Sequence, residues 1–237
     1  MTEPYIYQTV HTLGGRAFRL AEHIALLDMA AHTLFARSFP LDASRLAARI
    51  APLLSAAKMP TDYSVFVQIR MSASGEVQIE IGDISLYKGY DLRSIRPDAI
   101  SLTYELPFGG YPTSARQAIE ALAHTQAKIH HARSVVRCDS RGIAHTCDDA
   151  PLFAVKGAIV YTSPAPQSIE GMLAAECIAA AKLELRVQPI GREQLTHFDE
   201  LFYFDHRGIT SLARCDNAPL LSLAAEHVAH AAAKLTL

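Results

Sequence analysis

Three stretches of the 237-residue sequence gather side chains able to do chemistry. The first, "HTCDDAP" at His145–Pro151, sets an imidazole, a thiol and two carboxylates behind the turn "DSRG". A nucleophilic cysteine needs its thiolate held by a neighbouring imidazole. Residues two apart on a strand share a face, so His145 and Cys147 are candidates for that pair. The plainer reading is a polar loop capped by Asp148. The second, "SAAK" at Ser55–Lys58, has the spacing of serine acyl-enzymes. That chemistry needs the serine at a buried helix start and SDN-like and KTG-like partners. Here the pair ends a helix before Pro60, and the partners are missing. The third is histidine: His227 with His230, and His124 with His130 and His131. No carboxylate or cysteine stands at a matching helical offset except Glu226, which points elsewhere, so no metal centre is expected. There is no GxGxxG, P-loop or HExxH. Alone, these groups define no activity.

The elements that must carry such residues read as α+β. "YIYQTVHTL", "GG" and "RAFRL" form a hairpin, and Leu20, Ile24, Leu27, Ala31 and Leu34 recur at helical spacing. Leu46, Ile50, Leu53 and Ala57 do the same after Asp42, a helix cap. "YSVFVQIRM" and "EVQIEIG" alternate around "SASG" as a second hairpin. These place a smaller N-terminal α+β domain at residues 1–87, and the polar stretch 88–97 is a linker. Residues 98–237 form a larger domain of mixed, barrel-like sheet with helices. In it, "LPFGGYPTSARQAIEALAHTQ" hands a strand to a helix over Ala115–Ala132, with Ile119, Leu122 and Ile129 inward. Helix N-termini offer unpaired N–H groups, and the strong charge at this junction is Arg116. "SVVRCDSRGIAHT" is strand, turn, strand, and a helix follows over Ile169–Lys182.

Twenty-two Lys+Arg against 24 Asp+Glu leave a net charge of −2, which offers no footprint for nucleic acid or an anionic membrane surface. No apolar run reaches the ~18 residues of a membrane span. The four cysteines are 9, 30 and 38 positions apart with no CxxC, which fits free, buried thiols in the cytoplasm.

Read in order, the segments resemble the class IV, or fold-type IV, aminotransferase superfamily. That superfamily holds branched-chain aminotransferases, D-amino-acid aminotransferases and aminodeoxychorismate lyases. "YQTVHTLGGRAFRLAEHIALL", "DSRGIAHTCDDAPLFAVKGAIVYTSP" and "SIEGMLAAECIAAAKLELRVQPIGREQLTHFDELFYFDHRGITSL" carry the likeness over nearly the whole chain. The resemblance implies a two-domain fold, usually in a homodimer, with pyridoxal phosphate at the domain interface. It also implies a Schiff-base lysine, a phosphate-holding arginine and a glutamate on the pyridinium nitrogen, which lets the ring act as an electron sink.

Carried over, each of those positions is changed. The lysine falls on Ser114, Ala115 or Arg116, and a guanidinium forms no comparable imine. The phosphate arginine falls on Leu26, and the glutamate on Thr146. The phosphate turn falls on Ser168-Ile169-Glu170. Two unit charges ~4 Å apart cost about 4 kcal/mol at an effective dielectric near 20, so Glu170 opposes a phosphate there. The expected protein is therefore aminotransferase-like but without ordinary pyridoxal-phosphate catalysis. Its cleft for a small anionic or amino-acid-like ligand would be lined by Arg116, Thr146, Ser168, Ile169, His206, Arg207 and Thr210. Arg207, with the N–H groups of Ile209 and Thr210, would read the anion. The bland alternative is an arginine paired with Asp205 or Glu200. Two other functions stay open: an active enzyme using Lys88, the one lysine not excluded by position, and a structural or regulatory homodimer with a collapsed cleft.

Overall fold

The computed structural model describes residues 3–235 and divides the chain into two compact units. The first takes Met1–Gly89 with Pro107–Ala118; the second takes Tyr90–Leu106 with Ile119–Leu237.

In the first unit, β1 (Tyr5–Leu13) turns through Gly14 and Gly15 into β2 (Arg16–Ala17). Both glycines have left-handed φ, 58° and 78°, as a two-residue hairpin turn requires. Helices α1 (Leu20–Phe35) and α2 (Ala43–Ala56) follow, and the Asp42 carboxylate accepts from Arg45 N at the start of α2. Strands β3 (Ser64–Ser72) and β4 (Val77–Ile84) complete a sheet of order β2-β1-β3-β4. The period-two pattern puts Ile6, Val10, Val67, Ile69 and Met71 on one face, packed with Leu27, Ala31, Leu46 and Ile50 of the two helices. Ser55 and Lys58 are exposed where α2 ends, and Lys58 N simply donates to Ser55 O.

The second unit begins with β5 (Asp91–Leu92), inside the stretch read as a linker, and β6 (Asp98–Thr103). After α3 (Ser114–Ile129) come β7 (Ser134–Cys138), β8 (Ile143–Cys147), β9 (Ala150–Lys156) and β10 (Ile159–Thr162). Then follow α4 (Ile169–Ala180), β11 (Glu184–Val187), β12 (Ile190–Gly191), β13 (Glu200–Asp205) and β14 (Gly208–Ser211). β15 (Arg214–Cys215), β16 (Ala218–Pro219) and α5 (Leu223–Leu235) close the chain. The mixed sheet runs β16-β15-β6-β7-β8-β9-β13-β14-β5, with β10, β11 and β12 joined at its side.

Register assigns its two faces. Cys147, Leu152, Ala154, Leu201 and Tyr203 share one face and one apolar core, with Val136, Cys138, Leu212 and Cys215. The other face carries Phe153, Phe202 and Glu200 beneath α4 and α5. There Phe153 stacks on Phe202 at 5.2 Å, and the buried Glu200 carboxylate accepts from Ala224 N and Ala225 N at 2.9–3.1 Å. That bond caps α5 and removes Glu200 as a partner for Arg207.

The inward face of α3 differs from the sequence reading. Leu122 and Ile129 are 69% and 62% exposed, and the buried stripe is Ala123 and Ala127. The sheet face below already supplies bulk from Val135, Ile100, Leu102 and Tyr104, so the helix seats on its small side chains. All four cysteines are free and buried, and burial pushes the Cys138 thiol up to about 11. No described helix is long and apolar enough to cross a membrane.

Candidate functional site

In the first unit, Thr113 bridges to Ile6 just ahead of α3, and its hydroxyl accepts from Arg116 N at 3.2 Å. The Arg116 side chain is buried and donates to Gly110 O, closing the glycine loop on itself. Lys88 is exposed in a bend. Leu26 is half-buried on α1.

In the second unit, the His145–Cys147 pairing fails for a reason of register. Arg137 pairs with Thr146, but the next pair is Cys138 with Ala144, so His145 is an extra residue, a β-bulge. The bulge breaks the alternation: Ala144 and Cys147 both enter the core, and His145 turns instead to Asp139, Nε2 to Oδ2 3.1 Å. Asp139 also accepts from Arg141 N, Ile143 N and the Arg141 guanidinium. Burial alone would raise its pKa; the hydrogen bonds from Ile143, His145 and Arg141 reverse this and hold the carboxyl well below its usual range. The Cys147 thiol is driven up by burial, the opposite of an activated nucleophile. Among the described residues no three His, Cys, Asp or Glu side chains are placed to hold a metal.

Asp148 and Asp149 both have left-handed φ and form the tight turn between β8 and β9. Asp148 accepts from Ser134 Oγ at 2.6 Å, Val135 N at 2.9 Å and Tyr203 OH at 3.1 Å, which locks β7, the turn and β13 together.

The β13–β14 turn takes the bland alternative for Arg207. Asp205 Oδ1 accepts from Arg207 N at 2.8 Å, and Oδ2 from Nε at 2.8 Å and Nη2 at 2.5 Å. Burial lowers the Arg207 pKa; the Asp205 charge outweighs it and the net shift is upward. His206 is half-buried in the same turn. Thr210 is buried in β14 opposite Tyr203, and its hydroxyl accepts from Arg93 at 3.2 Å.

Pro151 of β9 lies between Thr146 and the first turn of α4. Thr146 lies opposite Pro151 of β9, and the Cβ position of Gly171, in the first turn of α4, is 3.7 Å from the Pro151 ring. Ser168 caps that helix by accepting from Gly171 N at 3.0 Å, and Ile169 is buried beside it. Arg137 extends the row: it is the cross-strand neighbour of Thr146, so the two side chains share a face, and it is only 9% exposed. By the same alternation Thr210, with Cys147 and Tyr203, belongs to the opposite face of the sheet. Sequence reasoning passed over Arg137. Its signal was one charge inside the apolar strand "SVVRC", all five residues of which are buried. A separate groove of about 530 Å³ is lined by Thr103, Gly142, Arg192, Glu193 and Asp216 among others. Two of its charges are committed to the fold: Arg192 donates to Ser101 Oγ at 2.8 Å, and Asp216 accepts from the same hydroxyl at 2.5 Å.

The fold is similar to that of solved aminotransferases of fold type IV. An aminotransferase from Brucella abortus, solved bound to the cofactor PLP, matches with a TM-score of 0.82 and 14% identity over 98% of this chain and 89% of that one. The branched-chain aminotransferase of Thermoproteus uzoniensis with norvaline matches at 0.79 and 14%, over 98% and 85%. The putative 4-amino-4-deoxychorismate lyase of Legionella pneumophila matches at 0.77 and 12%, over 92% and 85%. At these identities the likeness is one of fold. No protein-family model matches the sequence, and no curated protein matches it significantly.

Proposed function

We propose that this chain keeps the fold-type IV scaffold without its Schiff-base chemistry and uses the second unit to hold a small anionic or amino-acid-like ligand. The observation that supports this reading is the placement of lysine. The sequence has six: Lys58, Lys88, Lys128, Lys156, Lys182 and Lys234, and every one is exposed. An imine-forming lysine needs a desolvated site, and none of the six side chains occupies one. Lys156 is further committed to Asp199 at 2.8 Å and to His197 O.

The residues present do not fit pyridoxal phosphate. Thr146 gives no carboxylate for a protonated pyridine, and the buried Arg137 beside it places a cation on that face. Glu170 stands in the first turn of α4, where a phosphate would need the helix N–H groups unopposed. By the same resemblance we propose that the protein is a homodimer.

The test is the absorbance of the purified protein mixed with pyridoxal phosphate, before and after borohydride. We expect no reducible aldimine. A reducible band that disappears in Lys88→Ala would establish the active-enzyme reading instead. Thermal shift against amino acids, keto acids and phosphate esters then tests the ligand. Saturating ligand at 100 times its dissociation constant adds about 2.7 kcal/mol, and silence across the panel would favour a collapsed cleft.

A further inference from the structure

Two of the charges lining the groove of about 530 Å³ in the second unit are held by one serine. The Ser101 hydroxyl accepts from Arg192 Nε at 2.8 Å and donates to Asp216 Oδ2 at 2.5 Å, so guanidinium and carboxylate lie within about 5 Å of each other. Those bonds fix the two groups without exhausting them. A guanidinium has five N–H donors, and Arg192 engages three, on Ser101 Oγ, Ser101 O and, at 3.4 Å, Thr103 Oγ1. Asp216 accepts once on each oxygen, from Ser101 N and Ser101 Oγ, and a carboxylate has about four acceptor sites. The third charge is placed by a glycine. Glu193 and Thr196 are three apart on the short 3-10 helix Arg192–His197, where residues i and i+3 project together. Leu195, fully buried, seats that helix on the core, and Arg192 N donates to Gly142 O at 2.8 Å. The Glu193 carboxylate folds back over Gly191 and fills the space that a Cβ there would need. Gly191 has φ −69° and ψ 144°, a conformation open to any residue, so it is the carboxylate and not the backbone that calls for glycine. Glu193 is exposed and makes no hydrogen bond or ion pair among the described residues. The groove lies at the Gly142 end of β8, and Thr146 is near the other end.

We propose that this groove receives an amino acid with a cationic side chain. An α-amino acid carries its carboxylate and ammonium on one carbon, and the adjoining Arg192 and Asp216 meet both: the guanidinium donates to the carboxylate, and Asp216 accepts from the ammonium. Glu193 then accepts from the side-chain cation, with the Thr196 hydroxyl beside it. Charge points the same way. One guanidinium and two carboxylates leave the groove with a net charge of −1, which a ligand with two cations and one anion balances. A simple oxyanion would meet two carboxylates and be repelled. The inference rests on the ligand-binding half of the proposed function, whose amino-acid-like ligand it places and specifies; it is independent of whether a lysine forms an imine.

The experiment is calorimetric titration of the full chain, at constant ionic strength, with L-lysine, L-norleucine and 1,5-diaminopentane. Lysine carries all three charged groups, norleucine lacks the side-chain ammonium, and the diamine lacks the carboxylate. Saturable lysine binding is expected, at least tenfold tighter than that of either other probe. Glu193→Gln should bring lysine down to the affinity of norleucine. Gly191→Ala, which displaces the Glu193 carboxylate without removing it, should weaken lysine severalfold and leave norleucine unchanged. Glu76→Gln, at an exposed carboxylate of the first unit, should change nothing. Unfolding midpoints without probe show which variants are folded; if Gly191→Ala is not, Glu193→Gln decides alone, since Glu193 has no bond to lose. Absence of lysine binding, norleucine or the diamine binding as tightly as lysine, or wild-type lysine affinity in folded Glu193→Gln overturns the assignment. A thermal-shift response to other amino acids, keto acids or phosphate esters without lysine binding would overturn this inference and leave the proposed function standing. An aldimine in the absorbance test with Glu193-dependent lysine binding would do the reverse.

Discussion

Asp205→Asn separates an arginine held for structure from one held for a ligand. The substitution keeps the shape of the side chain but removes the charge that receives Nε and Nη2 of Arg207 at 2.8 and 2.5 Å. Asp205 is 4% exposed, so half of the pair is deeply buried. Removing one partner of a buried pair costs about 3–5 kcal/mol. The Arg207 side chain is 35% exposed and can rehydrate, and asparagine still accepts from Arg207 N, so the expected loss falls to about 2 kcal/mol. For a chain of this size that is roughly 4–8 °C in midpoint. Urea unfolding with linear extrapolation measures it. The variant also frees a cation at the turn, so phosphate should raise its midpoint more than that of the wild type at equal ionic strength. A variant within about 0.5 kcal/mol of wild type, the usual range for surface substitutions, would show the pair to be idle. A phosphate response equal to that of the wild type would show that Arg207 is no latent anion reader.

Asp139→Asn should destabilise the protein at neutral pH by about 2–3 kcal/mol, the scale of one charge-assisted hydrogen-bond set. The folded-state pKa of Asp139 is depressed below the ordinary 3.8, so its stabilisation is fully present above that value and is lost as pH falls below it. Wild type and variant should therefore differ by a constant amount from pH 5 to 8 and converge in acid; a gap that persists in acid refutes the assignment. Gly208→Ala should cost more than about 2 kcal/mol, because the residue has φ 121° and an added Cβ would lie 2.3 Å from Asp91 O. A stable alanine variant, read by the same urea midpoint, would mean that β5 does not pack against this turn.

What could be read from the chain followed from periodicity and turns. The helix cap at Asp42, the Gly14-Gly15 hairpin and the alternation of β3 are local signals, and each is present in the structure. The inward face of α3 was not local. Leu122 and Ile129 look like core residues until the sheet beneath them is known to bring its own bulk, after which only alanine fits. Arg207 was ambiguous for the same reason: whether it faces a ligand or Asp205 depends on a two-residue turn whose side chains fold back on it.

The deeper limit is that one extra residue in β8 resets the alternation of the strand. A strand read as perfectly alternating places His145 with Cys147 and puts a nucleophile where none exists. The bulge at His145 instead sends Cys147 into the core, hands the imidazole to Asp139, and leaves Thr146 beside Arg137 on the face that α4 covers. Nothing in "RGIAHTCDD" marks the bulge, because bulges arise from pairing with a second strand and not from residue type.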